Sequence, residues 1–163
     1  MVCLYQQEGL DFSDLIGDIL KKQFNLSLFN CGKFKVPSET FNPLRDQYEA
    51  SEIIESLMNY YNNRCDKHLA IVDVDIYTPR FNFIFGLADT NRNVAIVSIH
   101  RLSKNGSLKE RLAKEVIHEL GHILGLNHCS NQTCVMYFSN TIDDTDRKGI
   151  DLCEKCRRKI EGI

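Results

Sequence analysis

The chain has 163 residues, 43% of them hydrophobic and 26% charged, with only 3 Pro and 9 Gly. That composition suits one folded domain and excludes a disordered, fibrous or coiled-coil chain, and the length is too short for two full-sized cores. Lys plus Arg number 20 against 22 Asp plus Glu, a net charge of -2, which disfavours strong binding to polyanions.

No apolar run approaches the ~20 residues that cross a bilayer. The opening MVCLYQQEGLDF has no early Lys or Arg and no long apolar stretch, so it reads as neither a secretory signal nor a transit peptide. The expectation is a cytoplasmic chain that starts at Met1.

Residues 2–6 form a short apolar run, 12–24 carry Leu15, Ile16, Ile19 and Leu20 at helical spacing, and 26–29 are apolar again, a β-α-β pattern. Residues 30–43, with Gly32, Pro37 and Asn42-Pro43, read as a long loop. Helical spacing returns over 47–61 through Ile53, Ile54, Leu57, Met58 and Tyr61, and the β-branched run 69–77 predicts a third strand. Phe81, Phe83, Phe85 and Leu87 alternate as in a fourth strand, and 94–99 reads as a fifth.

Ser107 with Glu110 predicts a capping box, followed by a buried stripe of Leu108, Leu112, Val116, Ile117, Leu120 and Leu124 ending near Gly125. Asp143 and Asp144 near one end, with Lys155, Arg157, Arg158 and Lys159 near the other, suit a final helix and its dipole. The pattern predicts a mixed α/β sheet with three or four helices.

His118-Glu119-Leu120-Gly121-His122 falls on the capped helix, so two imidazoles one turn apart can reach one ion. Gly125 and His128 extend the string to H-E-x-x-H-x-x-G-x-x-H, the metzincin signature. Gly125 would let the chain leave the helix through a positive φ and bring His128 back as a third ligand. Three imidazoles leave a fourth position for water, and Glu119, a poor ligand beside a good one, can take that water's proton.

Seven cysteines are present. Cys3, Cys31 and Cys65 are scattered, whereas Cys129-x4-Cys134 and, after 18 residues, Cys153-x2-Cys156 have the spacing of a four-thiolate zinc site. In a reducing compartment metal is favoured over the alternatives of two disulfides or four idle thiols.

The string His118 to His128, with Cys129, Cys134, Met136, Cys153 and Cys156, resembles the archaemetzincin (archaelysin) family of metzincin zinc metallopeptidases. Met136 and Cys153 are separated by 16 residues, one fewer than in the family pattern. Residues 72–77 (VDVDIY) and 85–88 (FGLA) also look like this family's strands.

The resemblance implies a metzincin-like fold with a mixed five-stranded sheet, an active-site helix and a small zinc-stabilised C-terminal subdomain, divided into 1–125 and 126–163. It implies two zinc ions per chain, one catalytic on His118, His122 and His128 and one structural on Cys129, Cys134, Cys153 and Cys156. Met136 becomes the methionine of the Met-turn; its bare reading is a core residue. Some metzincins place a Tyr two residues after this Met, where the chain has Phe138, and Tyr137 sits one residue too early.

The implied activity is peptide-bond hydrolysis through a zinc-bound water activated by Glu119 on a peptide or protein substrate; a monomer is expected, and the net charge and the lack of a spanning apolar run point to no nucleic-acid or membrane partner. The strand at 81–87 would be the edge strand that pairs with substrate. Two rivals are a zinc-containing module that binds peptide without turnover and a zinc-stabilised nucleic-acid module, the latter opposed by the net charge. Asp73 and Asp75 read as a solvated or salt-bridged face, and His68 and His100 as isolated histidines.

Overall fold

β1 (Val2–Gln7) is buried over its first five residues, as expected of a strand covered on both faces in a parallel sheet. A computed structural model, describing residues 1–162, places it between two parallel neighbours. The chain leaves it through α1 (Ser13–Phe24), which stops where Asn25 adopts φ 54° and turns its N–H back to the carbonyls of Leu20 and Lys21. It returns as β2 (Leu28–Phe34). The loop expected over 30–43 is therefore shorter, because β1 supplies ladder partners as far as Phe34.

Two short strands follow, β3 (Phe41–Asn42) and β4 (Gln47–Glu49), so the helix expected over 47–61 is confined to α2 (Ala50–Leu57). β4 pairs with β6 (Ile76–Tyr77), part of a separate three-stranded sheet. The single strand expected over 69–77 is thus split: β5 (Lys67–Val72) stays in the main sheet and the chain changes sheets at 73–75.

Of the segment 81–87 only Gly86 and Leu87 are in a strand, β7 (Gly86–Asp89), which pairs antiparallel with β8 (Val94–Ser98). The main sheet has the order β2-β1-β5-β8-β7, with β7 at the edge and the first four strands parallel. The expected mixed five-stranded sheet is the one observed.

One face packs Val2, Leu4, Leu69, Ile71, Ala95 and Val97 against α1 and α3 (Leu108–Ile123). The other packs Tyr5, Ala70, Val72 and Ile96 against Ile53, Ile54 and Leu57 of α2. Ser107 caps α3 by accepting from the Glu110 N–H at 3.3 Å; the complete reciprocal box forms at Thr141 and Asp144. The final helix expected from the charge pattern is two: α4 (Ile142–Arg147) and α5 (Glu154–Glu161). Asp143 and Asp144 belong to the first and the basic residues to the second.

A third core lies beyond α3, where Ala113 and Ile117 meet Leu126, Val135, Met136 and Leu152. Cys3 and Cys65 form a disulfide between β1 and the turn before β5, a pairing their scattered spacing did not reveal and one that runs against the reducing compartment expected from the sequence. No described helix is long and apolar enough to cross a membrane.

Candidate metal centres and active-site cleft

α3 carries His118 and His122 one turn apart, and the left-handed residue expected after it is Gly125, at φ 95°. The turn brings His128 back, so that one nitrogen from each of His118, His122 and His128 lies within 4.8 Å of the others. Nδ1 of His118 is 2.9 Å from the Val135 carbonyl and Nδ1 of His122 is 2.8 Å from the Leu126 carbonyl. A carbonyl only accepts, so both Nδ1 atoms carry the proton and both Nε2 atoms present lone pairs.

Those Nε2 atoms face each other at 3.1 Å. Two acceptors that close repel unless a cation lies against both, so the donor set fits a metal ion and is held for one by its backbone partners. Burial, and next the positive charge of Lys148, hold the His118 imidazole well below its ordinary value. His122 and His128 are lowered chiefly by burial. Burial thus biases all three toward the neutral form, the one that ligates metal.

Glu119 points to the same cleft, a cavity of about 610 Å³ also lined by Phe81, Phe83, Leu87, His128 and Phe138. Burial, and next the charge of Glu115, push its carboxyl up to about 8. Glu115 lies one turn earlier on α3 and lines the cleft as well. A Cβ on Gly86 would lie 2.8 Å from the Glu119 Cγ, so only glycine there lets the edge strand run this close to the carboxylate.

Phe138, 39% exposed, sets its ring 5.1 Å from His128 and 6.0 Å from Phe81. The alternation Phe81, Phe83, Phe85 therefore lines the cleft through a largely irregular segment.

Met136 is fully buried. Its sulfur packs so closely over Gly121 that any side chain there would collide with it, and its carbonyl accepts from the Cys129 N–H at 3.0 Å. The sulfurs of Cys129, Cys134, Cys153 and Cys156 all lie within 4.8 Å of one another, with none of them disulfide-bonded. Cys153 is the N-cap of α5 rather than an interior residue, and Cys156 lies in its first turn. Burial opposes ionisation of Cys153, but the Cys156 N–H and the neighbouring thiols outweigh it and bring it down to about 7. Four thiols converging without disulfides suit a closed tetrahedral zinc site.

The residues named for the two metal sites, for the base and for the Met-turn are thus brought to one of two clusters, to the cleft or to the wall between them. Glu115, Lys148 and Gly86 were not singled out: a Lys148 with no motif around it carries no sequence signal, whereas Glu115 could have been flagged by its four-residue offset from Glu119. Asp75 is paired with Arg101 through two hydrogen bonds of 2.7 and 2.8 Å, the salt-bridged face expected of it.

The model of peptidase family M54 matches residues 13–162. The archaemetzincin of Methanocaldococcus jannaschii is 38% identical over 162 residues, covering 93% of this chain and 88% of that protein. That of Pyrococcus horikoshii is 47% identical over 132 residues, 74% of this chain and 69% of that protein. Among solved structures, the archaemetzincin of Archaeoglobus fulgidus, complexed with malonate, superposes with a TM-score of 0.84 at 34% identity, covering 98% of this chain and 99% of that one. A zinc-dependent peptidase from Methanocorpusculum labreanum gives 0.86 at 29% identity, covering 98% and 100%. The chain belongs to peptidase family M54 and is a metallopeptidase of the archaemetzincin type.

Proposed function

We propose that the chain hydrolyses peptide bonds with zinc held by His118, His122 and His128 and with Glu119 as the general base. The observation that carries this reading is the pair of Nε2 atoms facing each other at 3.1 Å, both with their Nδ1 protons committed to backbone carbonyls, beside a carboxyl in the same cleft. Zinc bound there would supply Lewis-acid polarisation of the scissile carbonyl and the attacking water.

The residues of the chain do the rest. The free edge of β7 can take an extended substrate as a further antiparallel strand, its backbone groups fixing the scissile bond beside Glu119. Glu119, whose buried carboxyl binds a proton readily, takes one from the attacking water and delivers it to the leaving amine. Phe138, where some metzincins have Tyr, has no hydroxyl to donate to a developing oxyanion.

We assign a second zinc to Cys129, Cys134, Cys153 and Cys156, giving two per chain, and divide the chain at the cleft into 1–125 and 126–163. The working form is proposed to be a cytoplasmic monomer acting on peptide or protein, without nucleic-acid or membrane partners. The test is to incubate the protein with a diverse peptide mixture and read new termini by mass spectrometry. Cleavage abolished by a chelator and restored by zinc is the result expected; cleavage indifferent to the chelator would refute the metal assignment.

A further inference from the structure

The Lys148 side chain is fully buried, at 0% exposure, yet has no part in the proposed hydrolysis. Its Nζ lies 3.2 Å from Oε1 of Glu115, itself 3% exposed, and donates to the Tyr137 carbonyl at 3.3 Å. The same Glu115 oxygen accepts from the Thr145 hydroxyl at 3.0 Å.

A need for stability does not account for this pair. Removing two charges from water is costly, and well-packed apolar residues in their place are commonly as stable or more so. Nor is the pair required to fasten α4 to α3. Arg111 on α3 already forms a double hydrogen bond to Asp146, at 2.8 and 2.7 Å. Lys114 reaches the carbonyls of Thr145 and Asp146.

The Lys148 ammonium makes a link that these contacts do not. It joins the helix that carries Glu119 to the backbone of Tyr137, the residue between Met136 and the cleft-lining Phe138. It also lies against the carboxylate one turn from Glu119 on the same helix. Like charges at that spacing repel, and the ammonium offsets the charge of Glu115. Its own charge acts on all three imidazoles.

We infer that Lys148 is a positioning residue for peptide hydrolysis: through Glu115 and the Tyr137 carbonyl it fixes the Glu119 carboxylate relative to the opposite wall of the cleft. This rests on the reading of Glu119 as the base.

The test uses the zinc-loaded full chain and a peptide that the wild type cuts. kcat, KM, melting temperature and zinc content are measured for Lys148→Met, Lys148→Arg and the double variant Glu115→Gln/Lys148→Met. Lys148→Met leaves a buried carboxylate unpaired and is expected to lose stability; the double variant removes both charges and is expected to melt near the wild type with its zinc intact. The double variant should nevertheless lose about 10- to 100-fold in kcat with KM held within about twofold, the size of effect that supporting residues around a metal site produce. Lys148→Arg, which keeps the charge, should recover most of kcat.

A double variant with wild-type kcat, or a loss of kcat that merely follows melting temperature or zinc content, would overturn the positioning role. Failure of both the double and the Arg variants to accumulate as folded, zinc-loaded protein would also overturn it, since the pair would then be a requirement of folding. Glu119→Gln runs alongside. If it keeps wild-type activity the base assignment falls, taking the inference with it, whereas a dead Glu119→Gln beside fully active Lys148 variants removes only the role of Lys148.

Discussion

The histidine and cysteine clusters are adjacent in sequence, His128 being followed directly by Cys129, yet they stand in opposite relation to the fold. Two of the three imidazoles sit on α3, a sixteen-residue helix packed on the main sheet, and their ring orientation is set by carbonyls of Val135 and Leu126. The helix would form without metal, so the fold positions that site. The four cysteines instead come from a turn, a loop and the first turn of an eight-residue helix, and among the described residues no strand of either sheet lies beyond Ser98 to organise them. There the metal would position the fold.

The sharpest way to break this contrast is Cys153→Ser. Structural zinc contributes apparent binding energies of roughly 10 to 16 kcal/mol in small peptides, comparable with the ~5 to 15 kcal/mol that stabilises an entire domain. The variant is expected to have a C-terminal region open to proteolysis, and to lose metal from the histidine cluster as well because Cys129 adjoins His128. An unchanged melting curve and unchanged metal content would refute the thiolate assignment.

His122→Ala should do less. Removing a ligand that binds only the folded state costs about 3 to 4 kcal/mol when the ligand is present at 100 to 1,000 times its Kd. A lower melting temperature in zinc, unchanged thiolate-bound zinc and retained resistance to protease are expected. Collapse of the chain on the scale of Cys153→Ser would erase the distinction between the clusters.

The metal-free histidine site should also show its own pH dependence. Burial raises the Glu119 carboxyl from 4.5 to about 8. A carboxyl that binds its proton more tightly folded than unfolded stabilises the fold below the unfolded value, and that contribution is lost as pH rises through the folded one. Metal-free wild type should therefore weaken between about pH 5 and about pH 8 relative to metal-free Glu119→Gln, with the gap widest at the alkaline end. Parallel melting curves across that range would show that Glu119 is not desolvated.

The smallest effect is expected at the wall between the clusters. Gly121→Ala forces a methyl into the Met136 sulfur and should cost about 1 to 3 kcal/mol by overpacking, largely relieved when combined with Met136→Ala. Chemical denaturation of the single and double variants measures it.

Much of this was legible in the sequence because the chemistry there is local. His118, His122 and the cap at Ser107 lie on one helix, and Gly125 reads as a left-handed exit because a third ligand has to return. The cysteine cluster was legible from spacing alone.

What was missed depends on long-range partners. Residues 73–75 lie between two strands of different sheets, which a β-branched run cannot disclose. The segment 81–85 alternates like a strand, but its aromatic rings are spent on the cleft, and only Gly86 onward finds a partner in β8. A continuous helix from 143 to 159 would carry Cys153 away from Cys134; the break at 148–153 allows the Cys153 N–H to reach the Cys134 sulfur at 3.3 Å. The Cys3–Cys65 disulfide spans 62 residues and required the parallel register of β1 and β5 to be known.

The most direct test of the central claim is Glu119→Ala, with each sample carrying its measured zinc content into an assay on a diverse peptide mixture read by mass spectrometry. Removing a positioned base typically costs about 10² to 10⁴ in rate. The expected result is wild-type zinc content, an unchanged fold and new termini too few to detect. Equal cleavage by variant and wild type at equal zinc content would contradict the assignment of Glu119 as the group that moves the proton.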